Sequence, residues 1–163
     1  MCIYSQLIMQ SSDFKPLAIA QCKEIGRACV CFKVRKSARA ITKLYEKVLR
    51  PSGLRATQFS LLMAARVLGP VTVVKLAQAT VMDRTTLTRN LQVLEKRGLI
   101  AINPGEDRRE REVTLTSSGM EALIKAIPLW EAAQEQVRQG LGEAKMQDLL
   151  DNLSEIIALA KEK

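Results

Sequence analysis

The stretch VMDRTTLTRN at residues 81–90, continued by LQVLEKRGLI at 91–100, decides the fold. Leu87, Leu91 and Leu94 fall at helical spacing and share one face, while Arg84, Thr85, Thr88, Arg89 and Gln92 project from the others. Asp83 suits the N-cap and Gly98 the stop, so the spacing predicts a helix from about Asp83 to Arg97 with one buried and one polar side. A shorter helix, TVVKLAQAT at 72–80, comes just before it. Two helices joined by a short turn, the second amphipathic, predict a helix-turn-helix.

Working outward, apolar positions 28, 31, 32, 34, 38, 41, 44, 45 and 48 recur at helical spacing from Ala28 until RPSG at 50–53 ends the run, which predicts one long first helix. Thr57 is the expected cap of a second helix, with Phe59, Leu62, Met63 and Val67 inward and Gly69-Pro70 as its stop. Beyond Gly98 the period changes. LIAIN and REVTLT are short and rich in β-branched residues, and PGEDRRE separates them, so they predict a two-stranded hairpin with a charged tip. Ser118-Gly119 then leads into a helix with Met120, Leu123, Ile124 and Ile127 on one side and an expected kink at Pro128. A last helix is expected from about Glu143 to Lys161, with Met146, Leu149, Leu150, Leu153, Ile156, Ile157 and Ala160 forming an apolar stripe wider than a lone surface helix needs.

At 163 residues the chain can bury a core without disulfide or metal staples, and 47% hydrophobic residues make it globular rather than disordered. Its 25 Lys and Arg against 17 Asp and Glu give +8, which favours a polyanionic partner, although a merely soluble basic protein has the same balance. No run is long and apolar enough for a membrane helix, and MCIYSQLIMQSSDFK lacks the basic start and apolar core of a signal peptide, so the expected location is the cytoplasm. There Cys2, Cys22, Cys29 and Cys31 are expected as free thiols.

The polar face of the 83–97 helix suits the DNA major groove, where arginine can pair bidentately with guanine and threonine can meet bases, phosphates or a thymine methyl. Arg84, Thr85, Thr86, Thr88 and Arg89 are the expected base or phosphate contacts; the competing reading is a solvated helix face. The hairpin tip EDRRERE sets Arg108, Arg109 and Arg111 among four carboxylates, a net charge of −1, so position matters there more than total charge. Such a tip can put Arg109 into a narrow minor groove, with Asp107 orienting it; the alternative is a solvated turn of mutually paired charges.

The order helix, helix-turn-helix, LEKRGLI, DRR and VTLTSSG resembles the MarR family of winged helix-turn-helix transcriptional regulators from about residue 25 onward. The family's D-x-R wing motif is matched by Asp107 and Arg109, and its L-T-x-x-G exit by Leu115, Thr116 and Gly119. The resemblance implies a mainly α fold with a small β-hairpin wing, in one domain covering residues 1–163. Dimerisation helices at about 20–50 and 118–161 would flank a DNA-binding lobe at about 55–116. It also implies a homodimer on a double-stranded, pseudo-palindromic operator, with half-sites spaced by about one helical turn, roughly 34 Å.

Within the family, CFKVRKSARAITKLY at 31–45 is similar to the start of the organic-hydroperoxide (OhrR-like) repressors. That likeness puts Cys31 at the branch's peroxide-reactive cysteine and Tyr45 at one of the tyrosines that bond its thiolate. Arg35 stands where another tyrosine would be, and Ala56 where a third is expected. One turn after Cys31, Arg35 would favour the thiolate that peroxide attacks. Packing as a small hydrophobe is the other fate of Cys31. On a continuous helix Cys29 and Cys31 would point apart, so they are not expected to pair.

A small aromatic effector near Arg35 and Arg39 is an alternative signal to an oxidant. No metal site is expected, because C-x6-C-x-C on one helix does not converge and the chain has no histidine; no cofactor is expected either. With no G-x-x-x-x-G-K and no convergent carboxylate pair, the chain does not read as an enzyme. A thiol peroxidase built on Cys31 and a helical adaptor that ignores DNA are the rivals to a repressor.

Overall fold

Leu87, Leu91 and Leu94 lock the helix-turn-helix in place, each 2% exposed or less. A computed structural model describes residues 17–161 apart from 106 and 108, so Cys2 and Arg108 lie outside the described residues. Its elements run α1 (Ile19–Ala28), α2 (Val30–Leu49), a 3-10 turn (Arg50–Ser52), α3 (Ala56–Leu68), β1 (Val71–Thr72), α4 (Val73–Thr80), α5 (Arg84–Lys96), β2 (Ile100–Pro104), β3 (Arg111–Leu115), α6 (Ser117–Leu141) and α7 (Glu143–Lys161). The chain divides into two compact units, up to Ile41 and from Thr42 onward, with the division inside α2.

The first unit differs from the single long helix expected from Ala28. A separate helix already starts at Ile19, and Cys29, with extended backbone at φ −71° and ψ 110°, breaks the run before α2. The Cys29 sulfur then accepts the Phe32 N–H at 3.4 Å, so this cysteine caps α2. Cys29 and Cys31 therefore do not share a continuous helix, and the opposed orientation expected of them does not follow. Among its described residues this unit buries none; Leu17, Ile19, Ile25, Val30 and Phe32 are half or more exposed.

In the second unit, α3, α4, α5 and α6 close with the sheet around Leu49, Leu61, Leu62, Leu76, Leu87, Leu91, Leu94, Val113 and Leu123. Phe59 of α3 stacks on Trp130 of α6 with ring centres 6.5 Å apart. The sheet has three antiparallel strands in the order β1-β3-β2, one more than the expected hairpin. β3 pairs Val113 with both Val71 and Ile102, which puts Val113, the buried residue of that strand, at the sheet's centre. A two-residue β1 has no alternation to read. Its Thr72 also caps α4 by accepting the Lys75 N–H at 3.2 Å.

Three helix details depart from expectation. α3 begins at Ala56, one residue before Thr57, because the Gln58 side chain accepts the Arg55 N–H at 3.0 Å. Its buried residues are Gln58, Phe59, Leu61, Leu62 and Ala65, and Val67 is 76% exposed. α6 starts at Ser117, where Thr116 accepts the Gly119 N–H at 3.0 Å and donates its hydroxyl to the Gly98 carbonyl at 2.6 Å. The face that α6 buries is Gly119, Leu123, Ala126 and Ala133, leaving Ile124 and Ile127 outside. It continues through Pro128, whose missing N–H frees a carbonyl on Ile124, an exposed residue where solvent can satisfy it.

Among its described side chains α7 buries none, and Leu149, Leu150, Ile156 and Ile157 are exposed along it. Among the described residues no helix is long and apolar enough to cross a membrane.

Candidate nucleic-acid interface

The turn between α4 and α5 sets the geometry of the site. Val81 closes α4 in the left-handed region, at φ 51° and ψ 42°, and the Met82 N–H reaches back to the Ala77 carbonyl at 3.0 Å. Asp83 follows as the N-cap of α5, its carboxylate accepting the Thr86 N–H at 2.9 Å. Hydrogen bonds from the Thr86 side chain and amide hold the Asp83 carboxyl below the ordinary aspartate range. Arg84, Thr85, Thr86, Thr88 and Arg89 are all exposed, on the sides of α5 away from its leucines. Two of the threonines already make local bonds: Thr86 to Asp83, and Thr88, which donates its hydroxyl to the Arg84 carbonyl at 2.7 Å. Thr88 therefore offers a partner its methyl group and its acceptor lone pairs.

The wing is shaped by its own acid. Asp107 accepts the Arg109 backbone N–H at 2.9 Å, and its carbonyl accepts the Glu110 N–H at 2.8 Å. The expected partnership of Asp107 and Arg109 thus runs through the main chain and fixes the turn, with the guanidinium projecting from it. Arg109 and Arg111 of the wing line one cleft of about 320 Å³ with Arg84, Thr88 and Gln92 of α5. Glu95 and Glu110 border it, yet the ion pairs among the described residues are those of Arg138 with Glu135 and with Glu143. Among the described residues the cleft's arginines thus form no ion pair with a carboxylate. Val74 also lines it, a contribution from α4 that the sequence reading missed because an exposed valine looks like a core position.

The second group of candidates is divided between the units. Cys31 and Arg35 are exposed and one turn apart on α2 in the first unit. Tyr45, half-buried in the second, donates its hydroxyl to Gln134 of α6, and burial raises its pKa. Gln134 had no signal in the sequence, since an isolated glutamine on a helix has no pattern. Among the described residues no three His, Cys, Asp or Glu side chains gather as a metal site would require.

Comparison with known proteins fits this geometry. Residues 52–110, from the end of the 3-10 turn to the wing, match the model of the MarR family. The chain is 36% identical to the M. tuberculosis transcriptional regulator MosR, whose crystal structure is a complex with DNA; the likeness covers 82% of this chain and 98% of that one, with a TM-score of 0.71. It is 36% identical over 84 residues to YwoH of Bacillus subtilis, an uncharacterised HTH-type transcriptional regulator, covering 52% of this chain and 61% of YwoH. It is 27% identical over 132 residues to the HTH-type transcriptional regulator SarZ of Staphylococcus haemolyticus, covering 79% of this chain and 87% of SarZ. The winged helix-turn-helix, its matched core and its relatives agree: the chain belongs to the MarR family, whose members are transcriptional regulators and not enzymes.

Proposed function

We propose that the protein is a sequence-specific DNA-binding repressor, acting as a homodimer on a pseudo-palindromic operator and released by an oxidant or a small aromatic effector. The carrying observation is the cleft in which Arg84 and Thr88 of α5 face Arg109 and Arg111 of the wing. Helix and wing side chains converging there suit a duplex, with α5 in the major groove and Arg109 in the adjoining minor groove. Thr85, Thr86 and Arg89 extend the helix contact, and Asp107 keeps the wing turn in shape. That the related MosR was crystallised with DNA supports the same reading.

The dimer draws support from α7, whose exposed leucines and isoleucines would be covered by a second copy. In the signalling step, likeness to the organic-hydroperoxide branch assigns the reactive thiol to Cys31, exposed as such a sensor must be, with Arg35 one turn away. Modification there, or an effector bound nearby, changes the spacing of the two α5 helices. A spacing mismatched to the half-sites weakens both groove contacts together.

The test is fluorescence anisotropy on DNA from upstream of the protein's own gene, reduced and then with stoichiometric organic hydroperoxide. Tight, salt-dependent binding that a scrambled duplex does not reproduce, lost on Arg109→Ala, supports the regulator. Release of the wild type by peroxide, with Cys31→Ser still bound, supports the thiol signal. If both stay bound, a non-covalent effector replaces it. Equal binding to every duplex contradicts the sequence-specific reading.

A further inference from the structure

Among the described residues Val81 is the one non-glycine residue at positive φ. Glycine or asparagine would close α4 there without difficulty, whereas a β-branched side chain in the left-handed region is strained. The side chain gains no burial in return, since Val81 is 58% exposed. Nearby, Val74 of α4 is 51% exposed. Val74, Val81, Lys75 and Arg84 line one shallow depression, and neither cation has a carboxylate partner among the described residues. Two apolar groups framed by free cations fit a polyanion that also offers apolar contacts. Duplex DNA does so through the thymine 5-methyl group in the major groove.

We infer that Val81 and Val74 contact thymine methyls on either side of the base met by Arg84, so that the helix-turn-helix turn adds to the specificity of α5. This rests on the DNA reading above. It also gives the strained valine a role that a glycine could not fill. Val81→Gly is the informative variant, because it removes the methyls while relaxing the backbone, and a loss of selectivity cannot then be ascribed to a weakened fold.

The experiment selects the tightest duplex from a random-sequence pool with the wild-type protein. Each thymine is then replaced singly by deoxyuridine, which lacks only the methyl group. Expected is a penalty of about fourfold at one or two thymines per half-site, the size implied by one buried methyl group. That penalty should disappear for Val81→Gly or Val74→Ala at the corresponding position, with the thermal midpoint of Val81→Gly no lower than wild type. Equal penalties in the wild type and both variants, or no thymine that matters, would overturn the inference while leaving DNA binding intact. Failure to enrich any duplex would instead remove the DNA reading, and this inference with it.

Discussion

Arg97, just past the end of α5, donates from Nη1 to Oε1 of Gln58 in α3 at 3.0 Å, and the same oxygen accepts the Arg55 N–H at 3.0 Å. One 8% exposed glutamine thus caps α3 and anchors the far end of α5. Gln58→Leu keeps much of the volume but removes the acceptor that both donors share. Because Arg55 and Arg97 are exposed and water can take up their N–H groups, it should lower stability by about 0.5–1.5 kcal/mol, the net worth of a hydrogen bond, as read from the denaturant midpoint at constant m-value.

Gly119 has a steric reason to be glycine. A Cβ there would lie 2.0 Å from the Leu99 carbonyl oxygen and 2.8 Å from Leu115 Cδ1, where α6 crosses the start of the wing. Gly119→Ala should therefore destabilise by about 2–3 kcal/mol or more, since a backbone carbonyl cannot step aside as a side chain can. Gly140→Ala is the control: nothing lies within 4 Å of its Cβ position, and its stability should be unchanged or slightly raised.

Asp83 gives the fold a defined response to acid. Its carboxyl is held below the ordinary value by bonds from Thr86, so the stability it contributes is present above the unfolded value of about 3.9 and is lost as pH falls through the lower folded value. Asp83→Asn retains a cap that cannot titrate. The difference in thermal midpoint between wild type and this variant should favour the wild type at pH 7 and shrink steadily below pH 4. A gap that stays constant from pH 7 to pH 3 would contradict the assignment.

The exposed stripe of α7 predicts an obligatory partner. Leu150 and Ile157, two turns apart on one face, are 46% exposed each. Replacing both with glutamate should leave helical content unchanged while converting a sedimenting dimer to monomer. Affinity for a two-half-site duplex should then fall by about a hundredfold or more, because the second half-site no longer binds intramolecularly.

α5 was legible in the sequence because Leu87, Leu91 and Leu94 share one face between a capping Asp83 and a terminating Gly98. The wing was legible from β-branched runs around a charged tip. Other features lacked any local signature. β1 has only two residues, and the break at Cys29 carries no proline or glycine at the junction itself. Gln58 acts through Arg97, a partner 39 positions away that no periodicity reveals. Within the site, Arg84, Thr88, Arg109 and Arg111 could be named from their chemistry, but their meeting in one cleft needed the fold. Val74 and Val81 were missed because apolar side chains on or beside a helix are ordinarily inward, and Val67, Ile124 and Ile127 were expected inside for the same reason.

The most direct test of the central claim is footprinting of the wild-type protein on the duplex it enriches from a random pool, with dimethyl sulfate reading guanine N7 in the major groove and hydroxyl radicals reading the sugars along the minor groove. Two protected major-groove segments related by a pseudo-twofold axis are predicted, with centres about one helical turn, roughly 34 Å, apart, flanked by minor-groove protection that Arg109→Ala removes. Uniform protection along the duplex, or a footprint that Arg84→Ala and Arg109→Ala leave unchanged, would contradict the claim that α5 and the wing read DNA together.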